Sequence, residues 1–132
     1  MITREADYAL RAIIYLAKNK SKGFCPTIDI CEKMLIPYRF LRKISRKLVD
    51  SGIAEAQRGK QGGLALAVDP EKYSLLDVLK VFDARSLAVN LCSKEDNSCE
   101  RKKECEVHEV FLGIQKNLEK EFDAIKIADL AK

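Results

Sequence analysis

Between Pro26 and Val68 the sequence lays down two short helices and then a hairpin, and few folds accommodate that order. Pro26 and Thr27 open a predicted helix over 28–34. Pro37 stands at the first turn of a second helix, where its missing N–H costs nothing. Gly52 ends that helix at a position that tolerates positive φ. Two short helices joined by a turn of three or four residues make a helix-turn-helix. On the second helix Leu41, Ile44 and Leu48 share one face, while Arg39, Arg42, Lys43 and Arg46 recur at i, i+3, i+4 and i+7 on the other. Residues 53–57 and 64–68 read as strands, and the RGKQGG between them is a basic, glycine-rich turn. Its glycines allow positive φ and a close approach to another backbone. The spacing of GKQGG does not match a phosphate-binding P-loop, which needs four residues between its glycines and a Ser or Thr after the Lys.

Helix, turn, helix and a basic-tipped hairpin form a winged helix, and the rest of the chain is consistent with one. Thr3 caps a predicted helix over 4–18, with Ala6, Leu10, Ile13, Ile14 and Ala17 at helical spacing and Asp7 and Arg11 one turn apart on a more polar face. Ser74 and Asp77 are a capping pair before a helix over 75–82, whose Leu75, Val78, Leu79 and Phe82 lie to one side. From about Glu106 a long amphipathic helix carries Val107, Val110, Phe111, Ile114, Leu118 and Phe122 as a stripe. A domain of this size has little core left to cover that stripe, so a second copy of the chain is its expected partner. The fold class is therefore mainly α with a small β-hairpin wing: a winged helix-turn-helix followed by a long C-terminal dimerisation helix. Residues 1–83 are expected to form the DNA-binding unit, and residues 84–132 the cysteine segment and dimerisation helix.

Residues 91–108 read LCSKEDNSCERKKECEVH. Three of the five cysteines and the only histidine fall within the seventeen positions from Cys92 to His108. The residues between them are polar or charged, so packing alone cannot order the segment. Cys92, Cys99, Cys105 and His108 are a donor set for a soft metal centre, zinc or iron–sulfur. Zinc sites more often show close Cys-x-x-Cys pairs. Cys25 and Cys31 lie outside the segment and read as small buried apolar residues.

Charge separates the two halves. Residues 1–68 hold 13 Lys and Arg against 6 Asp and Glu, whereas residues 69–132 hold 11 against 14. The basic half suits a polyanion. Tyr38, Arg39, Phe40, Arg42, Lys43 and Arg46 are aimed at a major groove, and Arg58, Gly59 and Lys60 at the wing tip are aimed at the minor groove or its phosphates. No apolar run is long enough to span a membrane and no secretory leader is legible, so a cytoplasmic protein with reduced thiols is expected. There is no Ser/His/Asp set, nucleotide fingerprint or substrate-pocket motif, so neither catalysis nor a small-molecule substrate is expected. An electron carrier using the same cysteines is the competing class, and a zinc-stabilised DNA-binding protein differs from the main reading only in its metal.

Taken together, TREADYALRAIIYLA, IPYRFLRKISRKLVDSGI, RGKQGGLAL, SLLDVLKVFD, the three cysteines and IADL resemble the IscR/NsrR-type (Rrf-type) bacterial winged-helix regulators over nearly the whole chain. The resemblance implies a homodimer crossed by its long helices, binding to double-stranded DNA, and an iron–sulfur cluster on Cys92, Cys99 and Cys105. Members with a 2Fe–2S cluster use a histidine just after the third cysteine, which is His108 here. Members with a 4Fe–4S cluster use an aspartate in the first helix of the other subunit, which is Asp7 here. The sequence contains both, so the cluster type and fourth ligand stay open. The implied function is a transcription regulator, repressor or activator, whose DNA affinity responds to redox state, nitric oxide or iron–sulfur status.

Overall fold

The computed structural model describes residues 2–132 except Ser86, Leu91 and residues 93–98. Helix α1 (Arg4–Lys18) is the central element and packs against the next three helices, the hairpin and the C-terminal turn. Its first turn is capped as expected, with Thr3 Oγ1 accepting the Ala6 N–H at 3.2 Å, worth about 1 kcal/mol. Its inward face is Ala6, Ala9, Ala12, Ile13 and Leu16, joined by Tyr8, while Leu10, Ile14 and Ala17 are half-buried beside it. Alanines at three of these positions let neighbouring backbones approach closely.

Helices α2 (Thr27–Met34) and α3 (Tyr38–Asp50) form the helix-turn-helix. The turn between them places Leu35 in the left-handed region at φ 54°, and the Ile36 N–H returns to the Cys31 carbonyl. Pro37 caps α3 from outside, and Gly52 has φ 78° just past its C-terminus, as its position after the helix predicts. Leu41, Ile44 and Leu48 are buried against α1, each contributing roughly 1.5–3 kcal/mol.

Strands β1 (Ala54–Gln57) and β2 (Gly63–Leu66) pair antiparallel with Ala54 opposite Leu66 and Gln57 opposite Gly63. The hairpin is held to the body by a reciprocal bridge. Cys25 N–H donates to the Leu64 carbonyl at 2.7 Å, and Leu64 N–H to that of Cys25 at 2.9 Å. Helix α4 (Leu75–Asp83) begins with the predicted box. Ser74 Oγ accepts the Asp77 N–H and the Asp77 carboxylate accepts the Ser74 N–H. At its other end the Asp83 carboxylate accepts the Thr3 N–H at 2.7 Å, joining the start of α1 to the end of α4.

Helix α5 (Glu106–Ala124) packs against α4, and its apolar stripe divides. Phe111, Leu118 and Phe122 are half-buried, and Phe122 joins the core. Val107, Val110 and Ile114 remain 51%, 61% and 49% exposed. A short α6 (Ile127–Leu130) then returns to the winged-helix body. Leu75 N–H donates to the Ile125 carbonyl, Ile127 N–H to that of Tyr73 and Ala128 N–H to that of Pro70. The Ile127 side chain is fully buried in the same core as α1.

Candidate functional site

The basic face of α3 is open to solvent. Tyr38, Arg39, Arg42, Lys43 and Arg46 are all exposed. Phe40, next to them in sequence, is half-buried and packs on Tyr8 of α1 with ring centroids 5.3 Å apart. It seats the helix, and the Arg39 guanidinium lies over its ring at 5.1 Å. Lys43 is tethered, its Nζ 3.4 Å from Glu5 of α1, and Lys47 reaches the same carboxylate at 3.5 Å. Lys47 also lies 5.1 Å from the Phe82 ring. Sequence periodicity does not reveal Glu5 and Lys47, because their pairing depends on how α1 and α3 cross.

The wing tip lies beside this helix. Gly59 and Lys60 share one groove of about 360 Å³ with Thr27 and Ile28 at the start of α2 and Ser45 of α3. Arg58, Gly59 and Lys60 are exposed, and the turn closes with the Gly62 N–H on the Gly59 carbonyl. The start of α2, Ser45 of α3 and the tip of the hairpin thus border one groove, to which Lys60 brings a positive charge.

The cysteine segment is described in part. Residues 93–98, Lys94 among them, lie outside the described residues. All five cysteines are free thiols. Cys92 is buried, while Cys99 and Cys105 are half-buried. Cys105 immediately precedes α5, and the His108 N–H donates to its carbonyl at 3.1 Å. His108 Nδ1 is buried without a hydrogen-bond partner among the described residues. A sequestered imidazole nitrogen with no donor or acceptor costs free energy unless a ligand or a proton partner satisfies it. Among the described residues, no three Cys, His, Asp or Glu side chains are gathered at metal-binding distance. The donor types, three thiols and an imidazole, are nevertheless ones that a thiolate-ligated iron centre takes.

Asp7 occupies a different environment on α1. Its carboxylate pairs with Arg11 at 2.7 Å, and Arg11 also reaches the Met34 carbonyl and the Tyr8 ring. Its side chain is 48% exposed. Cys25 is buried in the core and Cys31 is half-buried against it; burial pushes both thiols above the ordinary range, opposed at Cys25 by Lys22 and aided there by Asp29.

Among the described residues no helix is long and apolar enough to cross a membrane. The profile of the Rrf2 family, described as an iron-dependent transcriptional regulator, matches residues 2–132. The HTH-type transcriptional regulator NsrR of Shouchella clausii is 29% identical over 98 residues, which span 74% of this chain and 66% of that protein. Among solved structures, CymR, the global cysteine regulator of B. subtilis, superposes with a TM-score of 0.79 at 21% identity, covering 99% of this chain and 95% of that one. IscR of T. potens superposes with a TM-score of 0.76 at 22% identity, covering 98% and 85%.

Proposed function

The chain belongs to the Rrf2 family of transcriptional regulators, which are DNA-binding proteins rather than enzymes, and from that premise we propose a homodimeric regulator switched by an iron–sulfur cluster. The observation that carries the DNA half is the solvent-exposed basic face of α3, Arg39, Arg42, Lys43 and Arg46, together with the exposed basic wing tip, Arg58 and Lys60. Arg39, Arg42 and Arg46, with Tyr38 beside them, read base edges from α3. Arg58 and Lys60 hold phosphates or enter the minor groove, where Gly59 lets the backbone come close. Phe40 supports Arg39 from below. Residues 1–83 carry this activity, and residues 84–132 carry sensing and dimerisation through Val107, Val110 and Ile114. The protein works in the cytoplasm, where its DNA is and where its thiols stay reduced.

Cys92, Cys99 and Cys105 hold the cluster, with His108 or Asp7 completing it. When bound, the cluster supplies a centre whose iron reacts with nitric oxide or oxygen and can be lost. His108 displaces no described partner in acting, since its Nδ1 makes no hydrogen bond among the described residues. Asp7 must first give up Arg11. The chain's own part of the switch is Cys92, Cys99 and Cys105, which a ligated centre would hold together between α4 and α5.

Anaerobically purified protein should be coloured, and a spectrum separates the two cluster types from colourless zinc. A duplex selected by holo protein from a random pool is then titrated with holo, apo and Cys99→Ala protein under argon. At least a tenfold difference between holo and apo is expected, which needs only about 1.4 kcal/mol of coupling. Equal affinities would refute the switch. His108→Ala and Asp7→Ala beside them assign the fourth ligand, because loss of the true ligand changes the cluster spectrum.

A further inference from the structure

Gln115 is the buried residue of α5 among those described, and it is polar. Its Oε1 accepts the Val89 N–H at 2.7 Å, and its Nε2 donates to Glu119 Oε1 at 3.0 Å, so both ends of the amide are engaged. Val89 belongs to the connection between α4 and the cysteine segment, 26 positions earlier in the chain. A buried amide is retained only where its hydrogen bonds are made, and an apolar replacement would leave the Val89 N–H without a partner. Cys92 follows Val89 by three positions and is 6% exposed.

Gln115 stands seven residues after His108 on one helix, so the two share a face two turns apart. That separation is about 10 Å along the axis. The bond from Val89 thus ties the chain leading to Cys92 to the same helix that carries His108.

We infer that Gln115 is a positioning residue for the cysteine site: by pinning Val89 to α5 it fixes the path of the chain that leads to Cys92 and so keeps Cys92 buried. The inference rests on the reading that Cys92 is a cluster ligand only for its consequence in holo protein; its geometric content is a property of the apo chain.

The test uses full-length apo protein under argon, with alkylation of each cysteine by iodoacetamide followed by mass spectrometry. In the wild type Cys92 should react much more slowly than Cys99 and Cys105. Gln115→Leu should speed Cys92 about tenfold, the scale of one buried hydrogen bond lost, and should raise hydrogen exchange at the Val89 N–H. Cys25, buried in the wing attachment, should keep its slow rate. The double change Gln115→Glu with Glu119→Gln keeps an acceptor for Val89 and a donor one turn on, and should restore protection of Cys92. If Gln115→Leu does not fold, Gln115→Asn, which keeps the amide but falls one methylene short, carries the same expectation. An unchanged Cys92 rate in the substituted protein, or a Cys25 rate that rises in step with it, overturns the inference. In holo protein the same variant should release iron to a chelator faster than the wild type. Wild-type protein that holds no iron would defeat the cluster reading while leaving the alkylation result to decide the role of Gln115.

Discussion

Gly63 meets two demands that other residues cannot meet together. Its φ is 145°, and a Cβ there would lie 1.9 Å from the Cys25 carbonyl oxygen. That carbonyl accepts the Leu64 N–H, so relief of the clash breaks the bridge holding wing to body. Gly63→Ala should cost at least about 2 kcal/mol, visible as a lower urea midpoint, because strain and a lost backbone pair add. The Cys25 thiol beside it responds to pH. Burial raises its folded pKa above that of the unfolded chain. Its contribution to stability is therefore complete below the ordinary thiol pKa and is lost as pH rises through the raised folded value. Urea midpoints taken from about pH 7 to about pH 9.5 should fall for the wild type, and should fall less for Cys25→Ala, in which that titration is absent. A parallel decline in both would place the pH response elsewhere.

Among the elements, α3 and α5 make opposite use of amphipathicity. The inner face of α3 is covered by its own chain and its outer face is basic, whereas α5 keeps Val107, Val110 and Ile114 in solvent. Changing Val110 and Ile114 to Asp should place charges in the seam between two copies and produce monomers in sedimentation. A dimer that persists at micromolar concentration would mean that this face is not the seam. Phe111 and Leu118 are poorer choices, since both are half-buried and Asp there would also disturb the fold. On α3, Arg42→Ala should cost about 1–3 kcal/mol of specific affinity and relax sequence preference, whereas Lys60→Ala on the wing should lower the salt slope by about one. Retained specific binding after Arg39, Arg42, Lys43 and Arg46 are all changed to Ala would refute the placement of DNA on this face. These two helices also mark where a sequence is legible. The inner face of α3 could be read in full, because period, caps and turn residues are local. The stripe on α5 could be seen but not divided, because α4 and the connection after it decide which half is covered. Asp83, Gln115 and Glu5 left no local signal, since each gains its partner only when distant segments meet. The cysteine spacing named donors without showing how one folded chain arranges them.

At the scale of the whole molecule, α5 is fastened to the winged helix at two places. Gln115 holds the connection leading into the cysteine segment, and beyond the helix residues 125–128 make three backbone hydrogen bonds to residues 70–75. Ile127 anchors the second attachment in the core that α1, α3 and α4 share. A long helix fixed in this way cannot swing freely against the DNA-binding unit. In a dimer joined along α5, the separation of the two α3 helices is therefore set by the frame rather than by the DNA. Half-sites one helical turn apart suit such a frame, and inserting five base pairs between them turns one half-site to the opposite side of the duplex. Holo protein should lose affinity for that spaced duplex by about a hundredfold or more, falling toward what one half-site supports. Ile127→Ala removes most of a buried side chain, an expected cost of about 2–5 kcal/mol. With the attachment loosened, affinity for the original duplex should fall while the penalty for the five-pair insertion shrinks. Titrating both duplexes with both proteins at one salt concentration measures the two penalties side by side. An insertion penalty of equal size in wild type and Ile127→Ala would show that the C-terminal turn stabilises the fold without setting the spacing of the recognition helices.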